Sequence, residues 1–126
     1  MKEVITTDEA PAPIGPYNQA IKSGNTIYVS GQIAINPATG ELEMGDIQIE
    51  TTRVLENLKA VLKAGGFQLS DVVKCSIFIS DMGQFSQIND VYSKYFDGHE
   101  APARETVQVS CLPKNVNVEI SCIAVQ

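Results

Sequence analysis

The stretch Asp46–Ile79, DIQIETTRVLENLKAVLKAGGFQLSDVVKCSIFI, changes its hydrophobic period once, and that change decides the fold. Val54, Leu55, Leu58, Val61 and Leu62 fall at i, i+1, i+4, i+7 and i+8, the stripe of an amphipathic helix. Asp46 and Glu50 near its start and Lys59 and Lys63 near its end suit the helix dipole. Gly65-Gly66 stops it. From Asp71 to Ile79 the pattern alternates, with Val73, Cys75, Ile77 and Ile79 expected on one face of a strand.

Upstream, Asn18–Lys22 and Thr26–Ser30 read as two strands joined by a hairpin turn at Ser23-Gly24-Asn25. Ile27 and Val29 share one face of the second; Thr26, Tyr28 and Ser30 share the other. A short strand and an irregular loop precede them, with turn chemistry at Ile14-Gly15-Pro16-Tyr17. Downstream, Asp81-Met82-Gly83-Gln84 resembles a capping box opening a second helix. Phe85, Ile88, Tyr92, Tyr95 and Phe96 make its apolar face, and Asp97-Gly98 closes it. Two strands follow, Glu105–Cys111 and Asn117–Val125, joined around Pro113-Lys114-Asn115. The order β-β-β-α-β-α-β-β predicts an α+β fold: one mixed β-sheet with two helices packed on one face. The other sheet face then needs a cover, which oligomerisation supplies most simply.

A chain of 126 residues fits one domain, residues 1–126, with a real core. Its 44% hydrophobic and 19% charged residues are a globular composition. A net charge of −6, with no Lys/Arg run, argues against nucleic acid and against anionic membranes as partners. No apolar run approaches the roughly 20 residues of a membrane span, and no signal-peptide core opens the chain. Cys75, Cys111 and Cys122 lack Cys-x-x-Cys spacing and are expected as buried thiols in a reducing cytoplasm. A single histidine, His99, offers no transition-metal site, and no cofactor is expected.

Chemistry concentrates at Pro102-Ala103-Arg104 and Val118-Glu119-Ile120. Arg104 and Arg53 are the two arginines, and Arg53 is accounted for on the outside of the first helix. An arginine at a strand mouth suits bidentate capture of a small carboxylate, and a nearby glutamate can handle a water or a proton. Alternation puts Arg104 with Thr106, Gln108 and Ser110, and Glu119 with Asn117 and Ser121. If these last two strands pair as a hairpin, Arg104 lies across from roughly residue 123. Glu119 is then on the order of 13 Å away, at 3.4 Å per residue. Such a pair can be a cross-strand ion pair on the surface, worth ~0–1 kcal/mol, or a clamp for a three- or four-carbon acid and a water. Asn89 intrudes on the apolar face of the second helix, either as a wetted boundary residue or as a polar group pointed into a site.

Ile14-Gly15-Pro16-Tyr17, Ser30-Gly31-Gln32, Asn89 with Tyr92, Pro102-Ala103-Arg104, Leu112-Pro113-Lys114 and Val118-Glu119-Ile120 stand in the order of the YjgF/YER057c/RidA family, which the chain resembles over its whole length. The resemblance implies a chorismate-mutase-like fold and a cytoplasmic homotrimer with clefts between subunits. It also implies hydrolysis of 2-imino or 2-enamino acids to 2-oxo acids and ammonia, without metal or cofactor. Carried over, Arg104 would bind the substrate carboxylate and Glu119 would position or activate water. Tyr17, Ser30, Gly31 and Asn89 would line the cleft, and Thr106 would offer its N–H or hydroxyl.

The chain departs from that pattern at Glu105, where a small residue is usual, and at Thr106, often cysteine. These departures motivate the alternative of a trimer that binds small carboxylates without catalysis. An imine is already electrophilic, so general acid–base catalysis of ~10²–10⁴-fold suffices for an enzyme with so sparse a set of groups.

Overall fold

The computed structural model describes residues 1–126. Eight main elements follow the expected order: β1 (Lys2–Ile5), β2 (Ala20–Ser23), β3 (Thr26–Gln32), α1 (Ile47–Ala64), β4 (Val72–Ile79), α2 (Phe85–Tyr95), β5 (Ala103–Gln108) and β6 (Val118–Val125). The strands form one six-stranded sheet in the order β1-β2-β3-β6-β4-β5. All neighbours are antiparallel except β4 and β5, so the sheet is mixed.

Helix α1 begins where the Asp46 carboxylate accepts from the N–H groups of Gln48 and Ile49 at 2.8 and 3.2 Å, satisfying two otherwise orphaned donors. Its stripe of Val54, Leu55, Leu58, Val61 and Leu62 is fully buried against the sheet, each side chain stabilising by about 1.5–3 kcal/mol. Gly66 takes φ 85° after the last turn, the left-handed conformation that favours glycine. Gly65 is required for a different reason: a Cβ there would stand 2.5 Å from Ile27 Cδ1. The Asp81 side chain caps a 3₁₀ turn, Met82–Gln84, that leads into α2. Ile88, Val91, Tyr92 and Phe96 then pack on the same sheet face as α1.

Three sequence expectations change. Val73 is 47% exposed, and Val72 takes the core position instead. A register irregularity between Val72 and Lys74 shifts the alternation by one at the start of β4. Cys111 is exposed and lies outside any strand; only Cys75 and Cys122 are buried.

The larger change concerns β5 and β6, which do not form a hairpin. Helix α2 carries the chain back across the sheet so that β5 runs parallel to β4 at the edge, and β6 inserts between β3 and β4. Burial explains the choice. Strand β6 buries Val118, Ile120, Cys122 and Ala124, as an inner strand must, while β5 is exposed along most of its length.

Two buried polar side chains on α1 tie this core together. Glu50, fully buried, accepts from Asn117 N–H at 2.7 Å, Asn117 Nδ2 at 2.8 Å and Val118 N–H at 3.3 Å. Asn57 Nδ2 donates to the carbonyls of Ile33 and Ile35 at 3.0 and 2.9 Å. The far face of the sheet has no layer over it. Val4, Tyr28 and Val107 are exposed there, and Glu105 pairs with Lys74 at 2.8 Å and with the Ser76 hydroxyl.

Candidate active site

Register assigns the proposed site residues to two places. Arg104 is level with Cys75 on β4, and Cys75 is level with Cys122 on β6; both cysteines are buried under the helices. Arg104 therefore projects from the helix-covered side. Glu119 is level with Phe78, three residues further along β4, so it projects from the opposite side. Two strands at 4.8 Å and three residues at 3.4 Å put their Cα atoms roughly 14 Å apart, with the sheet between their side chains. The shared polar face expected from a β5–β6 hairpin does not exist.

The Arg104 half is a platform built by α2. The guanidinium carbon stands 4.9 Å from the Tyr92 ring centre and 5.6 Å from that of Phe85. Nη1 donates to Asn89 Oδ1 at 2.7 Å, so the Asn89 amide is turned towards Arg104. Asn89 is neutral and no carboxylate forms an ion pair with Arg104, which leaves the guanidinium charge uncompensated at close range. It opens on a depression of about 430 Å³ lined by Asn89, Tyr92, Ser93, Phe96, Asp97, Ala101, Pro102 and Arg104. That is the size range of small-ligand clefts. Beneath, burial pushes the Cys75 thiol up, against smaller opposing effects of the Tyr92 hydroxyl and Arg104. Cys75 is therefore a neutral thiol and a poor nucleophile. Thr106 stands two residues beyond Arg104 on the same face, and its buried hydroxyl oxygen has no hydrogen-bond partner.

The Glu119 half is smaller and more enclosed. Pro11, Ala12, Ile14 and Tyr17 from the loop before β2 join Gln19, Gly31, Gln32, Ile33, Ile35, Pro113 and Glu119 around a cavity of about 40 Å³. That is above the ~10–15 Å³ needed to admit a water molecule beside Glu119. Glu119 is half-buried, and desolvation raises its carboxyl above the ordinary carboxylate range. The Tyr17 hydroxyl accepts from Ile14 N–H at 3.3 Å, which leaves its proton free to donate. Ser30 spends its hydroxyl on the Asn18 carbonyl at 2.6 Å. The loop from β5 to β6 reaches the cavity through Pro113. It turns through Lys114 and Asn115, both at φ 56°, a left-handed pair that costs backbone energy outside glycine.

Sequence reasoning missed Phe85, Tyr92 and Phe96 as site walls, because their helical spacing is the same signal that marks core. Gln19 carried no local signal at all, and Gln32 stood out only within the Ser30-Gly31-Gln32 motif.

The fold and the family agree. Residues 7–126 match the family described as Endoribonuclease L-PSP, and the chain belongs to that family, the YjgF/RidA proteins. A RutC family protein of Pyrococcus horikoshii is 54% identical over 98% of each chain. Reactive Intermediate Deaminase A of Arabidopsis thaliana is 44% identical over 98% of this chain and 65% of its own length. The crystal structure of Escherichia coli TdcF with bound serine superposes with a TM-score of 0.94, at 44% identity and covering 98% of both chains. The fold is the chorismate-mutase-like α+β fold of these proteins.

Proposed function

We propose that this chain is a 2-iminobutanoate/2-iminopropanoate deaminase, hydrolysing reactive 2-imino and 2-enamino acids to 2-oxo acids and ammonia. The observation that carries the reading is the Arg104 guanidinium, held by a neutral amide on an aromatic platform with no counter-ion. Such a group is prepared for a planar anion, and a charge-assisted hydrogen bond to a carboxylate contributes ~1.5–3 kcal/mol. A relative named as a reactive intermediate deaminase and a relative that holds serine, an amino acid with the required carboxylate, support the same reading.

The chemistry needs little more. Arg104 holds the carboxylate and so orients C2. Glu119 takes a proton as water oxygen bonds to C2, and the C=N electron pair moves to nitrogen. Glu119 passes that proton to the nitrogen, giving the carbinolamine, which collapses when Glu119 moves the hydroxyl proton to the amine: the C–N bond breaks, ammonia leaves and the 2-oxo group forms. A carboxyl raised by burial is a stronger base than an exposed one, which suits the first step. Tyr17 and the Thr106 hydroxyl offer hydrogen bonds to the reacting groups.

One protomer does not bring both halves to one substrate. We therefore propose a homotrimer, as the family resemblance implies, in which Arg104 of one copy faces Glu119 of the next. The bare sheet face with Tyr28 and Val107 is the surface available for that assembly.

The test is 2-oxobutanoate release from L-threonine by a threonine dehydratase in excess, so that imine hydrolysis limits the rate. Acceleration by the wild type and none by Arg104→Ala is the expected result. Equal rates with and without the wild-type protein, together with calorimetric binding of 2-oxobutanoate, would assign a non-catalytic carboxylate binder instead.

A further inference from the structure

Residues 6–18 form neither helix nor strand, yet Pro11, Ala12, Ile14 and Tyr17 supply a whole wall of the Glu119 cavity. Something outside the loop must fix its path. One side chain does most of this. Gln19 is 2% exposed; its Oε1 accepts from Thr7 N–H at 2.8 Å, and its Nε2 faces the carbonyls of Thr7, Ala10 and Pro11 at 3.0, 3.2 and 2.8 Å. The Gln19 backbone is held in turn, its carbonyl accepting from Ser30 N–H at 3.0 Å.

We propose that Gln19 is a positioning residue of the Glu119 half-site: its amide holds the 6–17 strap in place and thereby fixes the Tyr17 hydroxyl and the enclosed volume beside Glu119. The role requires a group that donates and accepts at once, within reach of two peptide units of one segment and one of its neighbour. A primary amide meets that need, while an ionised carboxylate does not, since it would be buried against three carbonyl oxygens. An apolar side chain of equal length would strand one N–H and three carbonyls. The inference rests on the deaminase reading for its kinetic consequence alone; the structural consequence stands without it.

Two variants separate these. Gln19→Met removes the hydrogen bonds at similar volume. Gln19→Glu keeps the shape, loses the donor at neutral pH and regains an O–H donor when protonated. Amide hydrogen exchange, corrected for intrinsic rates, reads strap order. Protection of Thr7, Glu9 and Tyr17 amides is expected to fall at least tenfold in Gln19→Met, with β3 and β6 protection retained. In Gln19→Glu it is expected to fall at neutral pH and recover on acidification. The Glu119 carboxyl, followed by carbon-detected NMR, reads the cavity. Among the residues around it, Glu119 and Tyr17 are the titratable ones. Opening the strap is expected to bring the Glu119 carboxyl down towards the ordinary range.

In the imine assay, Gln19→Met is expected to lose kcat by about 10- to 100-fold, with KM moving less than threefold because the carboxylate clamp lies elsewhere. Unchanged strap protection, or an unchanged Glu119 titration, overturns the proposal whether or not the wild type is active. A loosened strap with full kcat, in a wild type shown to be active, also overturns it. A wild type without activity removes the deaminase reading and leaves exchange and titration to decide the role of Gln19.

Discussion

A Cβ on Gly31 would stand 2.7 Å from Cδ and 3.0 Å from Cγ of Glu119, so the glutamate occupies the space that any other residue at 31 would claim. The neighbour that must yield is the flexible end of a side chain, and Gly31 is not in the left-handed region. Gly31→Ala is therefore expected to fold with little change in melting temperature while displacing the Glu119 carboxylate. Its kcat for imine hydrolysis should drop by ~10²-fold or more, the scale of a lost general base. Wild-type turnover in that variant would show that the position of Glu119 is immaterial.

If the site is shared between copies, Arg104→Ala and Glu119→Ala chains are each inactive but complement one another. Co-expressed at equal amounts, they form trimers in which about a quarter of the interfaces pair an intact Arg104 with an intact Glu119. Affinity purification of the heterotrimers removes the inactive homotrimers and leaves one intact interface in three, so activity of about a third of wild type is expected. No recovery would place both residues in the service of one protomer, against the register that puts the sheet between them.

Desolvation raises the Glu119 carboxyl, and the sign of its effect on stability follows. Folding favours the protonated form, so any stabilisation is complete below the unfolded-state value and is lost as pH rises through the higher folded value. Glu119→Gln should accordingly melt higher than wild type at neutral pH. The difference should vanish once pH falls below the ordinary carboxylate value of 4.5. Turnover should move the opposite way, declining on acidification with a midpoint above that value. Thermal scans and rate profiles across pH 4 to 8 check both.

Glu50 is fully buried, so its hydrogen bonds are costly to lose. Its buried carboxylate satisfies three N–H donors at the start of β6, immediately before Glu119. Glu50→Ala strands those donors and opens a cavity, at a cost of about 3–5 kcal/mol in denaturant unfolding. Glu50→Gln keeps one acceptor and should cost less. Equal stability of Glu50→Ala and wild type would mean that the buried charge was already as costly as its hydrogen bonds were favourable.

Several features of this chain were legible because their causes are local. The stripe of Val54, Leu55, Leu58, Val61 and Leu62 marks α1 by its own period, and Asp46 caps it within the next three residues. Ile27 and Val29 declare the buried side of β3 in the same way, and the order of elements follows from such signals alone. Arg104, Glu119 and Asn89 stood out as chemically capable groups in a chain with few of them.

The tertiary structure decided which of those groups meet. Strand pairing is non-local: the α2 crossover delivers β5 parallel to β4, and the buried alternation of β6 claims the inner position that a β5–β6 hairpin would have used. Because successive strand residues point to opposite faces, the parity of that register determines that Arg104 meets Asn89 and Tyr92, while Glu119 meets Gly31 and the strap held by Gln19. A single irregularity at Val72–Lys74 likewise moved Val73 from core to solvent. Local composition determines what each residue is able to do; pairing and register, which join positions far apart in the chain, determine what it does it to.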